Sequence, residues 1–401
     1  MFIETSIREQ VEGQRDDRLR VLVVGGGVAG LTLTQLLRRG GLNPVLVERA
    51  PDNAEAGYML ALMPLVDPAM RALGVQDHYR SQSVPFHRYR LHGHRGPLLR
   101  EYEIDTLLNA YGDYRGIARG ELLEVLSTHG APISYSATLK MIRQTAGTVE
   151  AVLQDRSGAI DATFDAVVLA DGLHSESRAR LLDPHQVATY DTDWGGWVAW
   201  IETDAAHADQ GDEIWGAGFF VGIYPVKGRA GVFVGGNRTD MRAGPAAFVA
   251  HIRAQLHSTD PWLERALAQV EIGKDLYFWK LTDCRADTWS LGRVALLGDA
   301  AAGFLPTAGI GAGLAMESAT TLARHLLDAG SENIDEALCA YERAQRPRVE
   351  AAQDNSRQLA KMMFRRSRAL AVIRDLAVRR VPLGTVLGPI RKLLADRPSP
   401  A

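Results

Sequence analysis

Val21-Leu22-Val23-Val24-Gly25-Gly26-Gly27-Val28-Ala29-Gly30-Leu31 is the stretch that decides the fold. Its first four residues are apolar and mostly β-branched, which predicts a short buried strand. Leu31, Leu33, Leu36 and Leu37 then recur at helical spacing. Between strand and helix, Gly25, Gly27 and Gly30 make G-x-G-x-x-G. The first glycine permits the turn, the second lets a pyrophosphate approach the backbone, and the third brings helix and strand close. Val28 and Ala29 open the helix, where unpaired N–H groups and a partial positive charge face the phosphates. Gly40-Gly41 predicts the helix end, and Val45-Leu46-Val47 a second buried strand ending at Glu48. A carboxylate there accepts hydrogen bonds from ribose hydroxyls; the bland alternative is a glycine-rich turn beside a surface glutamate.

Working outward, the chain predicts an α/β protein whose Rossmann-type domain is discontinuous. Glu121–Leu126 is expected to be helical, Ala166–Ala170 a buried strand of the same domain, and Val294–Leu297 another, running into Gly298-Asp299 and a long helical stretch that Pro347 kinks or restarts. Strand-like pieces from Pro85 to Tyr111 and from Asp191 to Trp279 predict one mixed-sheet domain inserted into the first. The expected division is 18–85, 112–184 and 284–350 for the dinucleotide domain, 86–111 and 185–283 for the inserted sheet that holds substrate, and 351–401 for C-terminal helices. The N-terminal twenty residues are expected to form a disordered arm or a short helix.

With 401 residues, 46% hydrophobic and 23% charged, the composition is that of an ordinary globular protein with room for two cores. A net charge of −3 argues against nucleic acid as partner. Cys284 and Cys339 are the only cysteines, so no disulfide framework or CxxC motif can be drawn, and a reducing cytoplasm fits. The N-terminal sequence lacks the apolar core of a signal peptide and no stretch has the length of a membrane span. His92 and His94 make an H-x-H pair without a third ligand nearby, and no metal site is expected. G-x-S-x-G, H-E-x-x-H and P-loop motifs are absent.

Two further segments carry chemistry. Asp171-Gly172-Leu173-His174-Ser175-Glu176-Ser177-Arg178 follows a buried strand at the ligand-binding edge of the sheet; a plain helix cap is the competing reading. Later, Gly298-Asp299 precedes a small-residue loop through Pro306, Gly309, Gly311, Ala312, Gly313 and Leu314. Asp299 can accept from polyol hydroxyls, and the loop lets a flat ring lie against the backbone before a helix N-terminus. Packing of small residues where helices cross is the alternative.

Taken together, in order, these three segments resemble the class A flavoprotein monooxygenases, the para-hydroxybenzoate hydroxylase family, from Arg20 to about Pro347. The resemblance implies a GR2-like fold and an FAD cofactor. Gly25, Gly27, Val28, Ala29, Gly30, Glu48 and Arg49 would hold its ADP half, with Arg119 reaching the phosphates. Asp171, Gly298 and Asp299 would serve the middle, Asp299 on the ribitol, and Pro306 with Gly309 to Leu314 would seat the isoalloxazine. It also implies NAD(P)H as transient reductant, O₂ as co-substrate, and hydroxylation of an aromatic or polycyclic small molecule through a flavin C4a-hydroperoxide. Ala302, Ile310, Gly313 and Ser318 depart from the family pattern where the chemistry is set. They keep open an oxidase, dehydrogenase or reductase without oxygen insertion, and a non-catalytic flavin-binding regulator.

Trp197, Trp200, Trp215, Phe220 and Tyr224 of the middle sheet, with Pro306, are the candidates for substrate contact. Trp197 and Trp200, three apart, should face opposite sides of a strand. Tyr224 beside Pro225 is the one catalytic candidate, able to orient a polar substrate group. Arg365, Arg366, Arg368, Arg374, Arg379 and Arg380 among apolar residues between Lys361 and Lys392 predict a basic amphipathic helix, suited to an anionic membrane surface, to covering the flavin domain, or to a dimer contact, and the protein is expected to be a monomer or homodimer.

Overall fold

A computed structural model describes residues 1–52, 57–104, 108, 110–274, 276–380 and 388–396. The opening strand, Val21–Val24, lies inside a five-stranded sheet with Val45–Val47 on one side and Ala166–Leu169 on the other. Val294–Leu296 continues the parallel array and Ser290–Leu291 closes it antiparallel. All residues of the four parallel strands are buried, as a sheet covered on both faces requires, and this is why their sequences are continuous apolar runs. The helices Val28–Arg39 and Gly311–Asp328 pack against each other. The three chemistry-bearing segments thus leave the carboxyl ends of neighbouring strands, the edge where open α/β sheets bind ligands.

The second body is a seven-stranded sheet in the order Tyr277–Ala286, Val187–Glu202, Arg229–Asn237, Phe219–Val226, Gln210–Trp215, Arg88–His92, Leu98–Glu103. Gln210–Trp215 and Arg88–His92 are parallel and the other pairs antiparallel, so the sheet is mixed. Helices Pro245–Gln255 and Pro261–Ile272 cover one face through a core that includes Trp197, Phe219, Phe248 and Trp262. The strand reading of this region missed both helices, although each starts with a proline in its first turn and Asp260 caps the second. The strand Tyr277–Ala286 runs through residue 284, so the division expected there falls inside a strand.

Elsewhere the chain is more ordered than its sequence suggests. Phe2–Glu4 pairs in parallel with Ala131–Ile133, and a capping box of Ser6 and Glu9 starts the helix Ile7–Gly13. The N-terminus is therefore a strand and a helix, not an arm. Ile334–Met363 continues as one helix through Pro347, so no restart occurs there. Arg368–Arg380 and Gly388–Ala395 are the described C-terminal helices.

Candidate flavin and substrate site

Between the carboxyl edge of the five-stranded sheet and the open face of the seven-stranded sheet lies a cavity of about 800 Å³. One wall is built by Gly27, Val28, Ala29, Arg119, Asp299, Pro306, Gly309, Gly311 and Ala312. The opposite wall carries Tyr89, Glu213, Trp215, Phe220 and Tyr224, and Leu370, Ile373 and Arg374 of the C-terminal helix close over it.

The glycines of the first turn divide their work. A Cβ on Gly25, whose φ is +111°, would run into the carbonyl of Ala170, and one on Gly30 would meet the carbonyl of Gly25. Gly27 has open space where a Cβ would stand. The first and third therefore close the turn internally, and the second presents backbone to the cavity.

Glu48 Oε2 accepts from the Gly26 N–H at 2.6 Å and Oε1 from Ala50 N–H at 2.9 Å, so this carboxylate pins the glycine turn. It stands outside the cavity wall, as does Arg49, which pairs with Glu176 at 2.8 Å on the exposed surface. Asp171 accepts from the Ser175 hydroxyl and from Ser177 N–H, as the cap reading of that segment expects. Its buried Arg178 donates to the carbonyls of Ala300 and Leu173, tying the middle segment to the Gly298–Ala300 turn. Gly298 lies against Ala29, Gly313 against Leu65, and Leu314 is in the core. Gly298 opens the turn before Asp299, while Gly313 and Leu314 are buried in the first turn of the helix Gly311–Asp328, and none of the three lines the cavity.

Asp299 differs from all of these. Its side chain is exposed to the open cavity, and among the described residues no hydrogen bond to its carboxylate is seen. Burial raises its carboxyl to about 6. Such an acid needs donors, and a polyol supplies them. The helix Gly311–Asp328 begins without a side-chain cap, leaving its first N–H groups to face whatever fills the wall at Gly309, Gly311 and Ala312. Arg119 starts the helix Arg119–Leu126, with its guanidinium 5.8 Å from the centre of the Tyr58 ring. A carboxylate for hydroxyls, a glycine turn for pyrophosphate and an uncapped helix for a ring fit FAD.

On the opposite wall, Glu213 Oε1 accepts from Tyr224 OH at 2.5 Å and Oε2 from Trp215 Nε1 at 2.7 Å, with Tyr89 close by. Burial raises this carboxyl, and hydrogen bonding by its neighbours pulls it back. Tyr224 reaches Glu213 by lying across Gly222, where a Cβ would clash with its ring. Burial, followed by the neighbouring Glu213, raises the Tyr224 phenol well above its ordinary value.

Trp215, Phe220, Tyr224 and Pro306 line the cavity; Trp197 and Trp200 do not. Trp197 packs on the far face of the sheet against Phe248 and Phe278. Trp200 lies under the Arg229 guanidinium at 4.0 Å, and Val198, two residues earlier on the same face, takes the cavity position. Glu213, Tyr89 and the Met59–Met63 segment were missed from sequence. An acid between apolar neighbours in Asp212-Glu213-Ile214-Trp215 was the available signal. His92 bonds the Gly96 carbonyl and His94 pairs with Asp375, so the H-x-H residues have separate partners.

A dinucleotide edge sharing one cavity with an apolar, aromatic chamber defines a flavoprotein oxidoreductase. A family model described as "FAD binding domain" matches residues 18–356, and the chain belongs to that family. The 3-amino-4-hydroxybenzoate 2-monooxygenase of Streptomyces cremeus is 30% identical over 351 residues, covering 86% of this chain and 88% of its own. A flavin-dependent monooxygenase of Legionella longbeachae is 25% identical over 354 residues, covering 84% and 87%. The fold matches that of Klebsiella pneumoniae HpxO, solved with FAD and uric acid, at a TM-score of 0.83 and 21% identity over 96% of this chain and 99% of that one. The protein is an FAD-dependent oxidoreductase of the monooxygenase class, with NAD(P)H as reductant.

Proposed function

We propose that the protein hydroxylates an aromatic or polycyclic small molecule bound in the chamber of Trp215, Phe220 and Tyr224, against an FAD lying along the opposite wall. In this reading Gly27, Val28 and Ala29 hold the pyrophosphate, Arg119 the phosphates, Asp299 the ribitol, and Pro306, Gly309, Gly311 and Ala312 the ring. Glu48 acts through the Gly26 turn. When bound, FAD supplies electron transfer from NAD(P)H to O₂ and transfer of one oxygen atom to the substrate. The chain orients the substrate ring between apolar walls and holds a proton acceptor at Glu213 and Tyr224. A single observation carries the proposal: the uncapped wall and the aromatic chamber belong to one cavity. Anaerobic reduction of the FAD-loaded protein by NADH or NADPH, followed by mixing with oxygen, tests it. Reduction with aromatic-dependent oxygen consumption supports it, and a flavin that neither reductant reduces, with or without aromatics, defeats it.

The proposal extends to surroundings. The protein acts in the cytoplasm as a monomer or homodimer. The exposed Leu370, Val372, Ile373 and Leu376 with flanking arginines let the Arg368–Arg380 helix rest on an anionic membrane surface. Among the described residues no helix is long and apolar enough to cross a membrane. Co-sedimentation with phosphatidylserine vesicles, compared between the full chain and Ile373→Asp/Leu376→Asp, tests the contact; equal binding ends it.

A further inference from the structure

Where the two walls of the cavity meet, a buried hydroxyl stands without a protein partner. Tyr114 is buried and lines the cavity. Its hydroxyl lies 3.4 Å from the point where a Cβ on Gly309 would stand, which puts it against the loop of Pro306, Gly309 and Gly311. From the other side it feels the charge of Glu213, whose two oxygens already accept from Tyr224 and Trp215. Among the described residues no hydrogen bond to or from the Tyr114 hydroxyl is seen, and its oxygen is not walled off from the cavity.

The group is held in place from both ends. The Tyr114 ring stacks on Phe86 with centroids 4.6 Å apart and planes at 26°, and the Tyr114 carbonyl accepts from the Phe86 N–H at 2.8 Å. Phe86 is itself buried in the core of the dinucleotide domain. Burial, followed by the Glu213 charge, raises the Tyr114 phenol above its ordinary value, so it keeps its proton at neutral pH. A protonated phenol on a fixed ring, with no acceptor of its own, is a preset donor to whatever lies against Gly309.

We infer that the Tyr114 hydroxyl donates to the FAD ring where that ring lies against Gly309, and that it holds the reduced ring more tightly than the oxidised one. The inference rests on the proposed seating of the ring along Pro306, Gly309, Gly311 and Ala312, and adds to that seat a side chain from another part of the chain. On reduction the ring takes up two electrons and one proton and becomes an anion, its charge spread over its nitrogen and carbonyl edge. A hydrogen bond to a charged acceptor is stronger than one to a neutral acceptor, so the same donor favours the reduced state. The uncapped start of the helix Gly311–Asp328 acts in the same sense from the backbone. Tyr114 keeps its proton in both states; only the strength of its bond changes.

The test is the two-electron midpoint potential of the FAD-loaded full chain at neutral pH, titrated anaerobically with dithionite beside a reference dye and without substrate. Tyr114→Phe keeps the ring and its stack on Phe86 and removes only the hydroxyl. It should lower the equilibrium constant for reduction about ten-fold, a fall of about 30 mV, with FAD still bound. Tyr224→Phe, whose lost hydroxyl was committed to Glu213, should stay within about three-fold of wild type. An unchanged potential in Tyr114→Phe overturns the inference, even if the variant binds aromatics differently, because the hydroxyl would then serve the substrate. An equal fall in both variants also overturns it, by tracing the effect to the Glu213 cluster, and so does loss of FAD from Tyr114→Phe, which would make the tyrosine part of the scaffold. Neither aromatic nor oxygen is present, so failure of hydroxylation would leave this result standing, and a protein that hydroxylates while Tyr114→Phe has the wild-type potential would keep the proposed function without this inference.

Discussion

The two walls of the cavity are built by opposite means. The flavin-facing wall is made by backbone: turns and helix starts at the ends of parallel strands, with the Asp299 carboxylate facing the cavity and, among the described residues, no hydrogen bond to it. The substrate-facing wall is made by side chains from strands far apart in sequence, in which Glu213 accepts from Trp215 and Tyr224 beside Tyr89. Backbone walls demand particular residues at fixed spacing, so they leave a motif. Side-chain walls demand only that polar groups be satisfied once assembled, and many sequences achieve that.

The contrast can be broken in graded steps. Gly25→Val should be the most damaging change, since its Cβ meets the Ala170 carbonyl at a backbone angle that β-branched residues rarely adopt; little folded, flavin-loaded protein should be recovered on expression. Arg374→Ala leaves Asp375 buried beside His94 without its guanidinium. A loss of about 3 kcal/mol in urea unfolding is expected, with faster protease cleavage in the Arg368–Arg380 helix. Asp299→Ala should weaken FAD binding about ten- to a hundred-fold, measured as flavin retained after desalting, whereas Cys339→Ser at the exposed cysteine should leave it unchanged. Tyr224→Phe removes one donor from Glu213 and should cost about 1 kcal/mol of stability while flavin content stays full.

A pH dependence follows from the same wall. With a folded value raised to about 6, the Asp299 carboxyl binds its proton more tightly in the folded apoprotein than in the unfolded chain. Its contribution therefore favours folding at acid pH and is lost as pH rises from the ordinary carboxylate range through about 6. FAD hydroxyls reverse the preference by donating to the anion, so flavin release should increase as pH falls through about 6. Asp299→Asn should lack that step; release with the same pH profile in the variant would remove Asp299 from the ribitol.

Much of the fold was legible because buried parallel strands must be apolar throughout and their connecting turns must be glycine. Val21–Val24, Ala166–Leu169 and Val294–Leu296 are all of this kind. The helices Pro245–Gln255 and Pro261–Ile272 lie among aromatic and β-branched runs whose alternation reads as strand. Within the site, the motif glycines were visible, but not which of them face ligand: Gly25 and Gly30 meet carbonyls while Gly27 stands open. The aromatic strand allowed Trp197 and Trp200 to be placed on different faces, yet not to see that Val198 rather than Trp200 occupies the cavity. Glu213 escaped because an acid in a strand ordinarily faces water. Here its partners come from Tyr89 and Tyr224, whose proximity is a property of strand order and not of spacing.

The most direct test of the claim that both walls serve one reaction is the fate of labelled oxygen. FAD-loaded protein supplied with NADH or NADPH, ¹⁸O₂ and 2-naphthol should yield a hydroxylated product carrying one labelled atom for each NAD(P)H consumed productively. Consumption of NAD(P)H that returns all the label as hydrogen peroxide, with 2-naphthol bound and unchanged, would contradict it.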